Sequence, residues 1–181
     1  MKPMKEAEWF KRQFNFDLPV ELFPALIERV RGTPARLEEL VRSYPPEILT
    51  TRLGEAGERW SIQEVVGHLY DLDELHEGRL EDYKAGAEVL RAADLTNKKT
   101  HEADHNSKSV AELFADFREA RMRFVRRLEE MDEAAASASA MHPRLGKPMR
   151  VMDLAYFVAE HDDHHLAEIT FAARTLRTAD E

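Results

Sequence analysis

Apolar residues recur along the chain at the three- to four-residue spacing of amphipathic helices, in four separate stretches. No segment shows sustained strand-like alternation, so the pattern predicts an all-α chain. Ser61 and Ser109 each stand three residues before a glutamate, as in a helix-capping box. The predicted helices run from about Pro19 to Tyr44, Ser61 to Ala85, Ser109 to Met131 and Val151 to Leu176.

Four amphipathic helices are most simply packed as a four-helix bundle, here within one domain spanning residues 1–181. Gly32, Thr33 and Pro34 interrupt the first stretch and predict a kink or break, with Thr33 as a possible cap. Residues 1–18 are expected to form an N-terminal arm. The link at 86–108 is far longer than the ~2–8 residues usual between antiparallel bundle neighbours. A link this long can cross the bundle, which predicts an up-down-down-up order.

Composition narrows the classes of function. The net charge is −9 with no cysteine, which argues against nucleic-acid binding, disulfides and a cysteine nucleophile. The densest basic run, residues 121–127, is interpreted as a solvated helix face. No apolar run approaches the ~20 residues that cross a bilayer, and the first residues lack the pattern of a secretion signal. We therefore expect no membrane partner and a cytoplasmic location, and any bound metal must have nitrogen and oxygen ligands.

The fourth predicted helix contains three of the eight histidines within a stretch of five residues, 161–165. Either His161 with His165 or His161 with His164 could chelate a divalent ion from adjacent turns. The apolar stripe of this helix continues through His161 and His165, whereas His164 lies towards its edge. The phase of the helix therefore favours His161 and His165 as the inward pair.

A third ligand is expected from another helix, because two ligands seldom hold a metal tightly. His68 shares a face with apolar residues of the second helix, so it too should point inwards. The alternative is that these are ordinary buried histidines with hydrogen-bond partners. Three neutral imidazoles would leave coordination positions open, as in catalytic rather than structural sites.

Further candidates lie near these histidines. Asp71 and Glu160 are the candidate general bases, and Tyr70, Tyr156 and His164 the candidate pocket-lining residues. We expect Asp162 and Asp163 to cap, pair with arginine or face solvent. His76 is expected to be exposed, His101 and His105 to face water or overhang the pocket, and His142 to shape a turn.

Three motifs in order, "WSIQEVVGHL" (60–69), "HPRLG" (142–146) and "HDDHHLAEI" (161–169), resemble those of the DinB/YfiT-like superfamily. The resemblance covers about residues 20–176. It implies an up-down-down-up four-helix bundle, a zinc or nickel ion on His68, His161 and His165, and frequent homodimers. Members of the superfamily include bacillithiol and mycothiol S-transferases and a mycothiol-dependent maleylpyruvate isomerase.

The functional hypothesis is therefore a divalent-metal-dependent thiol S-transferase that uses a low-molecular-weight thiol and a small-molecule substrate. The runner-up is a hydrolase with metal-activated water. A non-catalytic metal-binding stress-response bundle and a helical dimerisation module that binds no metal are further alternatives. A fourth protein ligand, such as His164 or Asp71, would favour the structural reading.

Overall fold

The computed structural model describes residues 8–179 of the 181-residue chain, and residues 1–7 of the predicted N-terminal arm lie outside that range. Helices dominate the described part of the chain, which confirms the predicted fold class. In chain order the helices are α1 (Phe23–Arg31), α2 (Thr33–Val41), α3 (Pro46–Thr50), α4 (Ile62–Lys84), α5 (Lys98–Glu102), α6 (Val110–Glu129), α7 (Glu133–Ser137) and α8 (Val151–Ala179). Short 3-10 turns cover Trp9–Lys11, Val20–Leu22 and His105–Ser107. No helix in the described residues is long and apolar enough to traverse a bilayer.

The first predicted helix is broken where expected, and α1 and α2 together form one side of the bundle. Gly32, rather than Thr33, occupies the cap position of α2, and Pro34 lies in its first turn. The Thr33 hydroxyl instead donates a 2.6 Å hydrogen bond to Asp162 on α8. Thr33 thus joins α2 to α8, a role that local sequence does not reveal.

Ser61 caps α4 through the predicted capping box. Its hydroxyl accepts a hydrogen bond from the Glu64 amide, and the Glu64 carboxylate accepts one from the Ser61 amide. Arg52 also pairs with Glu64, so the start of α4 is held to the preceding loop. This fixes the helix that carries His68.

A small antiparallel hairpin, β1 (Ser139–His142) and β2 (Lys147–Arg150), lies between the third and fourth predicted helices, where the sequence pattern predicted no strand. Ala140 pairs with Met149, and both side chains are buried against the first apolar cluster defined below. Each strand has only four residues, too few for alternation to stand out in the sequence. The hairpin places residues 142–144 at one end of the bundle's cavity.

The long link folds back onto α4. Helix α5 and the turn at His105–Ser107 pack against α4, and the amide group of Gln63 donates hydrogen bonds to the carbonyls of His105 and Lys108. Gly67 permits this approach, because a Cβ there would collide with the His105 ring. The link is therefore part of the packed structure.

Helices α4 and α6 run parallel, since the pairs Asp73–Arg121 and Glu81–Arg127 advance together along both helices. Helix α1 packs on α6 and α8, and α8 packs on α4. A parallel second and third long helix fits the predicted up-down-down-up order, which as a whole remains a prediction.

A polar layer separates two apolar clusters within the bundle. Arg121 is fully buried in this layer and pairs with Asp73 and Asp162, so the prediction that run 121–127 is a solvated face was wrong for this residue. The predicted pairing of Asp162 and Asp163 with arginine is confirmed. The first cluster includes Val30, Phe124, Leu128, Leu154 and Val158; the second includes Leu37, Val66, Leu69, Phe117 and Ile169.

Candidate metal centre

The structure brings His68 on α4 together with His161 and His165 on α8. One ligand atom from each ring lies within 4.8 Å of the other two. The residues are 5%, 9% and 7% exposed, so the group lies inside the bundle. All three histidines point inwards, as the phase of the helices predicted.

The separation of the two α8 imidazoles matches a shared ligand sphere. The Nε2 atoms of His161 and His165 are 3.2 Å apart. Two nitrogens bound tetrahedrally at ~2.0–2.1 Å would be about 3.4 Å apart. This spacing favours a common ion in front of both rings.

Hydrogen bonds fix the tautomer of His68. The Thr100 hydroxyl donates its proton to Asp71 at 2.9 Å, so towards His68 it can only accept. The Nδ1 of His68 lies 3.3 Å from that hydroxyl and is therefore the protonated nitrogen. The Nε2 of His68 keeps its lone pair for a ligand.

Glu168 performs the same task for His165. Its carboxylate lies 2.7 Å from His165 Nδ1, which donates the hydrogen bond and leaves Nε2 as the ligand atom. Glu168 was not among the predicted site residues, although it stands three residues after His165, a spacing at which helix side chains meet. Burial alone would raise the pKa of Glu168, but the hydrogen bond and charge of His165 outweigh it and hold this pKa below its usual value.

His68 and His161 are neutral at physiological pH, as metal ligands must be. Burial, reinforced by the neighbouring His165, lowers the pKa of His68 to about 3. Burial, followed by the charges of His165 and His68, also keeps the pKa of His161 well below its ordinary value. The Trp9 ring covers His161 at a centroid distance of 4.8 Å.

Within residues 8–179, the group with metal-ligand spacing comprises these three histidines without a fourth side chain. Asp71 is occupied by Thr100 and by His105, whose Nε2 lies 2.9 Å from the same carboxylate oxygen. His164 lies beside Glu168, with 3.7 Å between Nε2 and Oε1. The donor set fits a divalent ion with open positions, the arrangement typical of catalytic centres.

The two candidate bases, Asp71 and Glu160, have different partners in the structure. Burial would raise the pKa of Asp71, but the hydrogen bonds from His105 and Thr100 outweigh it and keep the carboxylate ionised. Asp71 therefore orients His68 through Thr100. Glu160 is paired with Arg12 and Arg29, so its carboxylate is engaged and is not free to act as a base.

The candidate pocket residues are divided. His164 lines the cavity next to the three imidazoles, as proposed from the sequence. Tyr70 and Tyr156 are not among its lining residues in the described chain; Tyr70 packs on the second apolar cluster and Tyr156 on the first.

Of the four histidines elsewhere in the chain, two differ from expectation and two do not. His76 is buried against Phe124, and His105 is buried on Asp71, so the expectations of exposure and of facing water were wrong for these two. His101 is exposed and packs near Trp60. The turn role of His142 is confirmed, because its Nδ1 accepts a hydrogen bond from the Leu145 amide at 3.2 Å.

A large cavity of about 1750 Å³ opens in front of the imidazoles. Helix α4 lines it from His68 to Arg79, and α8 from Phe157 to Thr175. The volume exceeds the ~300–1,000 Å³ of ordinary small-molecule pockets. A cavity of this size can hold more than one small molecule.

Three inward imidazoles beside a large cavity place the chain in the class of helical bundles with a candidate metal-binding centre. The chain belongs to the DinB superfamily, whose model matches residues 29–169.

The fold is similar to the solved structure of YfiT from Bacillus subtilis, with a TM-score of 0.73 and 20% identity. The match covers 91% of this chain and 93% of that one. YfiT is described as a probable metal-dependent hydrolase with an unusual four-helix bundle topology. No curated protein matches the sequence.

Proposed function

We propose that the chain is a divalent-metal-dependent enzyme acting on a small-molecule substrate, with His68, His161 and His165 as the metal ligands. The convergence of these imidazoles, with no fourth ligand among the described residues, carries the proposal. A closed set of four would instead favour a structural ion.

A bound zinc or nickel ion would supply a Lewis acid that lowers the pKa of a water or thiol held beside it. The protein's residues prepare for this ion. Thr100 and Glu168 hold His68 and His165 in the tautomers that present Nε2, and Trp9 packs edge-on against His161.

The reaction we propose is S-transfer from a low-molecular-weight thiol to an electrophilic small molecule. In such a transfer the sulfur bonds to an electrophilic carbon, the thiol proton is released, and the leaving group departs with its bonding electrons. A cavity of about 1750 Å³ supports a reaction of two substrates, and the chain has no cysteine to compete for the electrophile. The resemblance to bacillithiol and mycothiol transferases points the same way.

Hydrolysis is the second candidate, because YfiT, with a similar fold, is described as a probable metal-dependent hydrolase. The two reactions separate in a direct comparison. Turnover of an electrophilic acceptor that depends on added thiol supports transfer, whereas turnover of an ester or amide without thiol supports hydrolysis.

Elemental analysis of purified protein tests the metal centre. We expect about one divalent ion per chain in the wild type and loss of most of it in His68→Ala and His165→Ala. His164→Ala removes a neighbouring imidazole outside the inward pair and is the matched control. Full metal content in both ligand variants would refute the assignment, and equal loss in the control would show that the wrong pair was chosen.

Homodimer formation and a cytoplasmic location remain predictions beside this proposal. Light scattering on the purified protein checks the first of these directly.

A further inference from the structure

Two histidines and two arginines lie together at one end of the cavity, the end farthest from His68 along α4. His76 and Arg79 come from α4, whereas His142 and Arg144 come from the hairpin and its turn. All four line the same cavity as the imidazoles. None of them takes part in the metal centre described above.

These side chains contain buried nitrogens that no described residue satisfies. His76 Nδ1, His142 Nε2 and Arg144 Nη2 are buried without a hydrogen-bond partner in the described chain. His76, Arg79 and His142 are more than nine-tenths buried. Buried polar groups are rarely left unpaired in folded proteins, so three in one wall of a cavity point to a ligand.

His142 and Arg144, the two residues from the hairpin and its turn, both pack against the ring of Phe157. The centroid of the Phe157 ring lies 5.3 Å from that of His142 and 5.7 Å from the Arg144 guanidinium carbon. Burial, followed by the charges of Arg79 and Arg144, lowers the pKa of His142 to about 4. The cluster therefore has two guanidinium charges and a neutral imidazole in close range.

Acidic partners for this cluster are missing from the cavity wall. The three carboxylates that line the cavity in the described chain are engaged elsewhere: Glu8 with Lys11, Asp94 with Thr96 and Lys98, and Glu168 with His165. Arg79 donates to a backbone carbonyl, that of Arg91, at 3.2 Å. The cationic charge thus faces the cavity without a compensating side chain in its wall.

We propose that His76, Arg79, His142 and Arg144 form an oxyanion subsite that binds a carboxylate or phosphate group of the substrate. Guanidinium forks suit both groups, and imidazole N–H donors complete their hydrogen bonds. This subsite names the substrate class of the same cavity. Binding of the oxyanion does not depend on the proposed function, but the identification of the bound molecule as the substrate rests on it.

The position of the subsite sets the shape of the molecule. Along α4, His76 lies eight residues and Arg79 eleven residues beyond His68, a rise of about 12–17 Å. Trp9 and Phe157, with ring centroids 5.1 Å apart, lie between the two ends of the cavity. The substrate is therefore an elongated small molecule with its reactive centre at the imidazoles and an oxyanion at the other end.

Binding of two probes, inorganic phosphate and benzoate, tests the subsite in the full-length protein. Calorimetry gives the affinity, and ¹⁵N-histidine NMR follows the ring nitrogens of His76 and His142. Arg144→Gln should weaken binding by about tenfold or more, and Arg144→Lys, which keeps the charge but loses the fork, by less. Arg126→Gln removes an equal charge from the exposed face of α6 and should leave the affinity unchanged.

The outcomes separate the possible sources and the two proposals. Preference for phosphate or for benzoate identifies the group, whereas binding of neither, or equal affinity in Arg144→Gln and wild type, overturns the subsite. Metal content measured on the same samples should not change in Arg144→Gln. If the protein binds the probe but holds no metal, the subsite stands and the proposed function fails. If the protein holds the metal but binds neither probe, the proposed function stands and the subsite fails.

Discussion

At the residue scale, the centre depends on which nitrogen of each imidazole carries the proton. Thr100 acts on His68 and Glu168 acts on His165 through the Nδ1 atoms, so both Nε2 atoms face the same point. His161 differs, because its buried Nδ1 has no hydrogen-bond partner in the described residues. Two of the three candidate ligands are therefore preorganised, and the third packs against Trp9.

Thr100→Val should weaken metal binding while preserving side-chain volume. The variant removes the acceptor for His68 Nδ1–H and the donor to Asp71, and loss of such an orienting partner typically costs 10–100-fold in metal affinity. Competition with a chromophoric chelator measures the change. Thr100→Ser keeps the hydroxyl and should restore affinity, and Thr50→Val, which removes a hydroxyl bonded only to a backbone carbonyl of α3, is the neutral control. Equal affinity in Thr100→Val and wild type would contradict the orienting role.

The convergence of the three imidazoles was predictable from the sequence, but their hydrogen-bond partners were only partly so. Helical spacing and the apolar stripe suffice to place His161, His165 and His68 on inward faces. Thr100 comes from the link, where no periodicity indicates which face or which helix it meets. Asp71 was selected for its spacing from His68, yet its route through Thr100 depends on tertiary packing.

At the element scale, the long link acts as a support for α4. It holds Thr100 and His105 against one face of the helix, and both side chains bond to Asp71. Its length favoured a crossing of the bundle, and the parallel pairing of α4 with α6 fits that expectation. The docking of its residues onto α4 was missed because polar loop residues usually face water.

Gly67→Ala should disturb this docking. Alanine gains up to about 1 kcal/mol of helix propensity, but overpacking against the His105 ring costs about 1–3 kcal/mol, so we expect a net loss. Displacement of His105 should also loosen Asp71 and lower metal affinity. Urea denaturation and the chelator assay measure the two effects.

Gly32→Ala is the matched control for this substitution. Its Cβ would meet only ordinary contacts, the nearest being the Glu28 carbonyl at 3.4 Å, and its backbone is helical. We expect unchanged or slightly higher stability. A Gly67→Ala protein as stable as Gly32→Ala, with full metal affinity, would show that the link does not support the centre.

At the scale of the whole molecule, the bundle places its buried polar groups between two apolar clusters. Arg121, Asp73 and Asp162 form an ion network there, which hydropathy could not distinguish from a surface run. Burial, with the charge of Asp162, raises the pKa of Asp73 to about 7 despite the attraction of Arg121. The interior also contains neutral histidines, so the fold as a whole should respond to pH.

Acidification should destabilise the metal-free protein partly through His76 and His142. Burial lowers the pKa of His76 well below its ordinary value and that of His142 to about 4. The unfolded chain takes up these protons near pH ~6.5, whereas the folded chain does not until about pH 4 for His142, so stability falls as pH drops through this window. Protonation of Asp73 has the opposite effect and raises the free energy of unfolding as pH drops from about 7 to 4. This contribution is the same in every protein compared.

The double variant His76→Gln/His142→Gln should therefore show a shallower loss of unfolding free energy between pH 7 and pH 5. Proton uptake on unfolding, obtained from urea denaturation at a series of pH values, should fall by about two at pH 5 relative to wild type. His101→Gln, which changes an exposed ring in the link, is the control for the loss of an imidazole. Parallel slopes for the double variant and the wild type would mean that these histidines titrate alike in the folded and unfolded chains, and the neutral, ligand-facing state inferred for the far end of the cavity would have to be abandoned.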